Sequence, residues 1–247
     1  MDIPAPSKWG CFFMKNDKIK TIAYMGLYVA LYVVLKLVGN MIPFLDMPNG
    51  GSIELELIAV FIASYHLGWV KGVGVGVISL FVSFLFSSPY ILTPMQFILD
   101  YIAPHVVIGM TSLLWPFKNV SKTVAGILSF VIALCAFFGI SKSWNGGAVT
   151  IVIALLVAVA ALVFTYTFVL KKEGFGIAIG MLLKYVCNVL SGVFYYFPEG
   201  AAAGSAAAWT FSLGYNLWYN LVTMIVCIFV VPMLISRLKQ AKINFKA

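Results

Sequence analysis

Eight long apolar segments divide the chain, over residues 19–43, 53–68, 70–87, 94–117, 123–140, 147–170, 174–197 and 207–236. About 20 apolar residues are what a helix needs to cross a bilayer core. In that solvent every backbone N–H and C=O must be satisfied within the segment, which selects the helix. The chain therefore reads as an all-α integral membrane protein. Composition agrees: 62% of residues are hydrophobic and 10% charged, whereas soluble domains carry about 25% charged residues. The second and third segments are short and joined by a tight turn, His66-Leu-Gly-Trp-Val-Lys71. No stretch is left over for a separate ATPase, kinase or DNA-binding module.

Charge placement orients the chain. With the N-terminus cytoplasmic, thirteen lysines and arginines fall in inner loops and tails, and only Lys142 falls outside. Basic residues near helix ends are retained on the cytoplasmic side. Both termini are thus expected inside, with an even number of spans. Residues 1–18 and 237–247 read as cytoplasmic tails around one membrane domain, 19–236. The net charge of +8 marks topology and not nucleic acid, because the basic residues form no common face. The acids Asp46, Glu54, Glu56, Asp100 and Glu199 fall at outer ends instead. Such a mouth would concentrate a cation, although acids are also simply tolerated outside.

Several function classes find no support. There is no Walker motif, no HExxH, no Ser-His-Asp set and no paired carboxylates; His66 and His105 stand isolated. No enzyme and no cofactor is expected. Cys11, Cys135, Cys187 and Cys227 form no CxxC pair, so neither a disulfide framework nor a zinc site is indicated. Residues 1–14 lack the apolar core of a signal peptide, and Met14 reads as a plausible natural start.

Asp100 lies inside the fourth apolar segment. A carboxylate at membrane depth costs about 2.5–3.5 kcal/mol on insertion scales. Gln96 sits one turn earlier on the same face, and Pro94 suits a first helical turn. Asp100 either cross-links a neighbouring helix, with Lys184 as one partner, or meets a ligand. In segment 174–197, Lys184, Asn188, Ser191 and Tyr195 share one helical face, flanked by Gly192 and Tyr196. Ser212, Asn216, Tyr219 or Asn220, and Thr223 form a second ladder. Polar groups can merely bind helices together, but convergent polar groups between aromatic walls also make small-molecule pockets. Lys36, near an outer helix end, is expected to snorkel to the headgroups. Gly26 and Ala30 form a small-xxx-small pair suited to close helix approach. The outer loops 44–52 and 198–206 are both candidate lids over the mouth.

The stretches Met47-Pro-Asn-Gly-Gly-Ser-Ile53, Gly68-Trp-Val-Lys-Gly72, Thr93-Pro-Met-Gln-Phe-Ile-Leu-Asp-Tyr101, Lys184-Tyr-Val-Cys-Asn-Val-Leu-Ser-Gly192 and Ser212-Leu-Gly-Tyr-Asn216 occur in this order. In these stretches the chain resembles the substrate-binding S-components of energy-coupling factor (ECF) vitamin transporters, the thiamine-specific ones in particular. That resemblance implies a six-helix bundle, here with residues 119–172 as an inserted transmembrane hairpin. It implies capture of thiamine or a close relative outside. Uptake would be driven through a transmembrane coupling subunit and two ABC ATPase subunits. Another vitamin, a thiamine precursor, and a stand-alone secondary transporter are the alternatives.

By the same resemblance Asp100 and Tyr101 bind the ligand, Lys184 and Gly192 match the fifth-helix pattern, and Asn216 matches the sixth. Gly26 and Ala30 dock on the coupling subunit. Asn188 stands where the family has His, Tyr196 where it often has Trp, and Phe211 where it has Tyr. These departures keep the site polar and aromatic. A thiazolium ring is a permanent cation, and aromatic faces hold such cations; Tyr101, Tyr195, Tyr196 and Trp209 are the candidate rings.

Overall fold

The computed structural model describes residues 17–47, 50–116, 118–143, 147–170 and 172–246. Met14 and Cys11 lie outside them. The described chain is helical, with one isolated bridge between Asp46 and Ser52. Helix α1 covers Asp17–Asn40, α2 Leu57–Leu67 and α3 Trp69–Ser83. A broken segment follows: α4 Pro94–Phe97, a π-helical turn Ile98–Ile102, α5 Ala103–Gly109 and α6 Thr111–Leu114. Then come α7 Lys122–Ser143, α8 Ala148–Val169, α9 Lys172–Tyr195 and α10 Ala206–Gln240.

These are the eight expected segments, with differences that have physical causes. Five helices (α1, α7, α8, α9 and α10) are long and apolar enough to span a bilayer. Helices α2 and α3 are shorter than the apolar runs that contain them. Every residue of α2 is buried, so this helix is the axis on which the others pack and meets little lipid. Gly68, at φ +89, makes the reversal between α2 and α3 in a conformation that side-chain-bearing residues rarely adopt.

The fourth segment, expected as one continuous helix over 94–117, is interrupted. Pro104 has no N–H to donate to the carbonyl of Asp100, and its ring crowds that carbonyl. The ladder widens there, and the Ala103 N–H bonds to Ile98 O.

Helix α1 has two different faces. Inward, Tyr28, Tyr32 and Lys36 recur every four residues and so form one stripe. Their side chains meet His66 Nδ1 at 2.7 Å, His105 Nε2 at 2.8 Å and Glu56 Oε1 at 2.8 Å. Outward, Ile22, Gly26, Leu27, Ala30 and Val34 are exposed. Lys36 is thus an ion-pair partner of the buried Glu56 and not a headgroup anchor: its side chain is 22% exposed, that of Glu56 3%. An acid stranded at that depth draws the lysine in.

Helices α7 and α8 pack on each other and on α9 and α10. Ile132, Ala136, Ile140, Ala154 and Ala161 join the same core cluster as Met181 and Leu217. At the inner end the chain after α10 folds back: the Lys246 N–H donates to His66 O, and the Phe245 ring lies 5.2 Å from that of His66.

We propose that the α7–α8 hairpin is an insertion that adds packing without forming the outer cavity described below. Replacing residues 121–170 by a short cytoplasmic linker is then expected to give an inserted, ligand-binding protein with a lowered thermal midpoint. Calorimetric titration and a thermal scan of the purified deletion protein check this; lost binding in a well-inserted protein would contradict it.

Candidate functional site

A cavity of about 1090 Å³ opens at the outer end of the bundle. The outer ends of α1 and α3, the π-helical turn, the outer half of α9 and the first half of α10 form its walls. All eight residues singled out as ligand contacts line it: Asp100, Tyr101, Lys184, Asn188, Gly192, Tyr195, Tyr196 and Asn216. Trp209 does not; it is 40% exposed and lies away from the lining.

The fully desolvated Lys184 organises one wall. Its Nζ lies 2.6 Å from Glu54 Oε2 and donates to Asn220 Oδ1 at 2.9 Å and Asn188 Oδ1 at 3.2 Å. It also stands 5.3 Å from the Tyr219 ring centroid. Burying a cation requires a counter-charge and hydrogen bonds, and Glu54 and the two asparagines provide them. The anticipated cross-link between Asp100 and Lys184 is therefore absent, because Glu54 takes that place.

Asp100 has a different setting. Gln96, itself fully buried, donates from Nε2 to Asp100 Oδ2 at 2.6 Å. Gln96 is held by the Leu92 N–H on its Oε1 at 3.0 Å, and its own N–H is capped by Thr93 Oγ1 at 3.1 Å. Among the described residues, no lysine or arginine lies within ion-pairing distance of Asp100. Lys36 and Lys184 are each matched by a glutamate, so Asp100 is left as a carboxylate with a neutral neighbour on the cavity wall.

Around it stand aromatic rings. Tyr101 lies 5.7 Å from Phe84 and 5.5 Å from Phe97, and Tyr90 lies 6.4 Å from Tyr196. The Tyr90 N–H donates to Tyr101 Oη at 3.1 Å, which fixes the 87–92 loop against the π-helical turn.

On α10, Asn216 donates from Nδ2 to Ser212 O at 2.9 Å and Ser212 Oγ at 3.0 Å, and its Oδ1 accepts from Tyr219 Oη. Both N–H groups are thereby used within the helix. One acceptor lone pair on Oδ1 remains for a bound molecule. Gly192 serves close packing: a Cβ there would stand 2.2 Å from Ser212 Oγ. Its absence lets α9 and α10 bring their polar ladders together.

Of the candidate lid 44–52, the described residues Asp46, Met47, Gly50, Gly51 and Ser52 border the cavity. The Met47 N–H donates to Gly51 O at 2.9 Å, and Tyr215 Oη donates to Gly50 O at 2.8 Å. Loop 198–206 does not; its Gly204 N–H ties back to Val193 O at 3.1 Å, and its residues are not in the cavity wall.

Sequence reasoning missed Tyr32, Tyr90 and His105 as cavity residues, and placed Glu54 only in the acidic mouth and Tyr219 only in the second polar ladder; all five line the cavity. Two signals point to some of them: the four-residue stripe of Tyr28, Tyr32 and Lys36, and Pro104 placed four residues after Asp100.

Removing the counter-charge of Lys184 has a defined cost. Glu54→Gln is expected to destabilise the protein by roughly 3–5 kcal/mol, because it leaves a buried cation uncompensated. A drop in the thermal midpoint of the ligand-free variant in detergent measures this, and an unchanged midpoint would contradict it.

Comparison with known proteins places the fold and the family. A solved ThiT structure from Listeria monocytogenes superposes with a TM-score of 0.57 at 19% identity, covering 91% of this chain and 98% of that one. At that identity the likeness speaks for the fold alone. The thiamine transporter ThiT of Bacillus subtilis (strain 168) is 26% identical over 220 residues, which is 89% of this chain and 92% of that protein. The family model described as thiamine transporter protein (Thia_YuaJ) matches residues 22–243. A transporter family agrees with a chain in which no enzyme was expected, and with a multi-pass membrane protein. By that match over nearly its whole length, the chain belongs to the thiamine transporter protein family.

Proposed function

We propose that this chain is the substrate-binding membrane subunit of an ECF-type transporter, and that it captures thiamine on the outer side for uptake driven by separate ATPase subunits. Asp100 carries this reading: it is a cavity carboxylate whose neighbouring side chains, Gln96, Ser191 and Asn188, are neutral, set among aromatic rings. Thiamine matches both halves. Its thiazolium cation suits the faces of Tyr101, Tyr195 and Tyr196, a contact worth about 0.5–2 kcal/mol. Its aminopyrimidine N–H groups suit the Asp100 oxygen that Gln96 leaves open, and Asn216 Oδ1 is a second acceptor. Lys184 and Asn188 form the floor that holds these elements in register, and Gly192 sets the helix spacing.

Titration calorimetry with thiamine tests the reading. Asp100→Asn keeps the shape and removes the charge. Losing a charged hydrogen bond costs about 1.5–3 kcal/mol, so affinity is expected to fall roughly ten- to a hundredfold. The thermal midpoint of the ligand-free protein is expected to hold. Undiminished thiamine affinity in Asp100→Asn would refute the role given to this carboxylate.

Gly26 and Ala30 belong, in this reading, to the surface that meets the transmembrane coupling subunit. They support it by position: both are exposed on α1, and among the described residues outside its own helical backbone nothing lies within 4 Å of where a Gly26 Cβ would sit. Small residues let a second helix approach closely. Gly26→Leu with Ala30→Leu is expected to abolish ATP-driven uptake in cells while thiamine affinity of the purified chain is kept. Normal uptake by the double variant would remove this face from the interface.

A further inference from the structure

His105 bridges two elements that carry the cavity. Its ring is 4% exposed. Nδ1 lies 2.7 Å from the carbonyl oxygen of Tyr101, and Nε2 lies 2.8 Å from Tyr32 Oη. A carbonyl only accepts, so Nδ1 must carry the proton. In the neutral ring Nε2 is then the acceptor and Tyr32 the donor. The result is a directed relay: Tyr32 O–H to His105 Nε2, and His105 Nδ1–H to Tyr101 O. It runs from α1 to the π-helical turn that presents Asp100 and Tyr101.

That turn needs support. A π turn is rare because its hydrogen-bond spacing is less favourable than that of the α-helix. Pro104 removes one competing α-helical bond, and Gln96 holds Asp100 from the N-terminal side. The His105 contact with Tyr101 O is the brace on the C-terminal side. The stake is large: one residue of an α-helix turns by about 100°, so relaxation of the widened turn would swing Asp100 away from its present direction relative to α5.

We infer that Tyr32 and His105 are positioning residues for the ligand: through the carbonyl of Tyr101 they hold the π-helical turn in the register that aims Asp100 into the cavity. This rests on the reading of the cavity as the thiamine site. Neither side chain has to touch the ligand, because their polar atoms are engaged with each other and with the backbone.

The test is a set of double-mutant cycles on the full chain in detergent, read by calorimetric titration with thiamine. Tyr32→Phe removes one oxygen and keeps the ring. His105→Asn keeps a donor near the Nδ1 position and discards the Nε2 acceptor. Each is expected to weaken binding about tenfold, and the two together no more than either alone. With Asp100→Asn already present, each loss is expected to shrink below about twofold. Equal losses with and without Asp100→Asn overturn the inference, since direct ligand contact or general loosening gives that result. Unchanged affinity in both single variants overturns it too, and either variant suffices where the other does not fold. A wild-type chain that binds no thiamine overturns the reading of the cavity and this inference with it. Wild-type binding that both variants keep overturns this inference alone.

Discussion

A lysine held at 2% exposure in a membrane-spanning helix sets the terms for the outer half of this molecule. A lysine buried at that depth requires a counter-charge. Glu54 supplies it to Lys184 from the connection between α1 and α2, which forces that connection down against α9 and α10. The Glu54 N–H then donates to Thr223 Oγ1 at 3.1 Å, and Thr223 Oγ1 donates to Tyr219 O at 2.6 Å. One buried ion pair thereby fixes the mutual register of α9, α10 and the entry to α2. Buried pairs add little net stability compared with an apolar replacement. What this pair supplies is direction: it consumes both charges internally, so that among the described residues no lysine or arginine pairs with Asp100 on the cavity wall.

The second constraint lies in the backbone. A helix in lipid cannot leave carbonyls unsatisfied, and Pro104 withdraws a donor from the turn that holds Asp100. The structure meets this by widening the turn, and His105 adds a side-chain hydrogen bond to the next carbonyl, that of Tyr101. The distortion and the functional candidate therefore coincide for a reason: the residues that shape the widened turn also aim the carboxylate. The polar atoms of Gln96, His105 and Asn216 are spent largely on holding other groups.

Much of this was legible in the sequence, because apolar length and charge asymmetry dictate topology almost without reference to tertiary contacts. The polar faces of α9 and α10 were legible for a related reason: in lipid, Lys184, Asn188 and Asn216 on a helix must turn toward one another. What was not legible depends on partners distant in the chain. Lys36 looked like a headgroup anchor because its glutamate is 20 positions away, at the outer end of a different apolar segment. His105 looked isolated because its two partners sit on a different helix and on the backbone. Trp209 looked like a binding ring from its aromatic side chain alone, but it is 40% exposed and lies outside the cavity lining. The π-helical turn was readable in principle from Pro104, since a proline four residues after a buried acid removes the bond that the acid's carbonyl would accept.

Helix α1 joins the two ends of this reasoning. Tyr28, Tyr32 and Lys36 face inward, and Gly26 and Ala30, each two residues earlier than a tyrosine, lie about 200° around the axis. The inner stripe reaches three separate elements: the end of α2, the start of α5 and the residue before α2. Among the described residues nothing packs against the outer face at Gly26. The position of α1 is therefore set from inside, by groups that also border the cavity. A helix held by hydrogen bonds of fixed geometry cannot slide or rotate without breaking them, whereas one held by apolar packing alone can. In the proposed reading, a ligand that stiffens the π-helical turn stiffens His105 and Tyr32 as well. The surface offered to a partner is then steadied by the molecule bound on the other side of the helix.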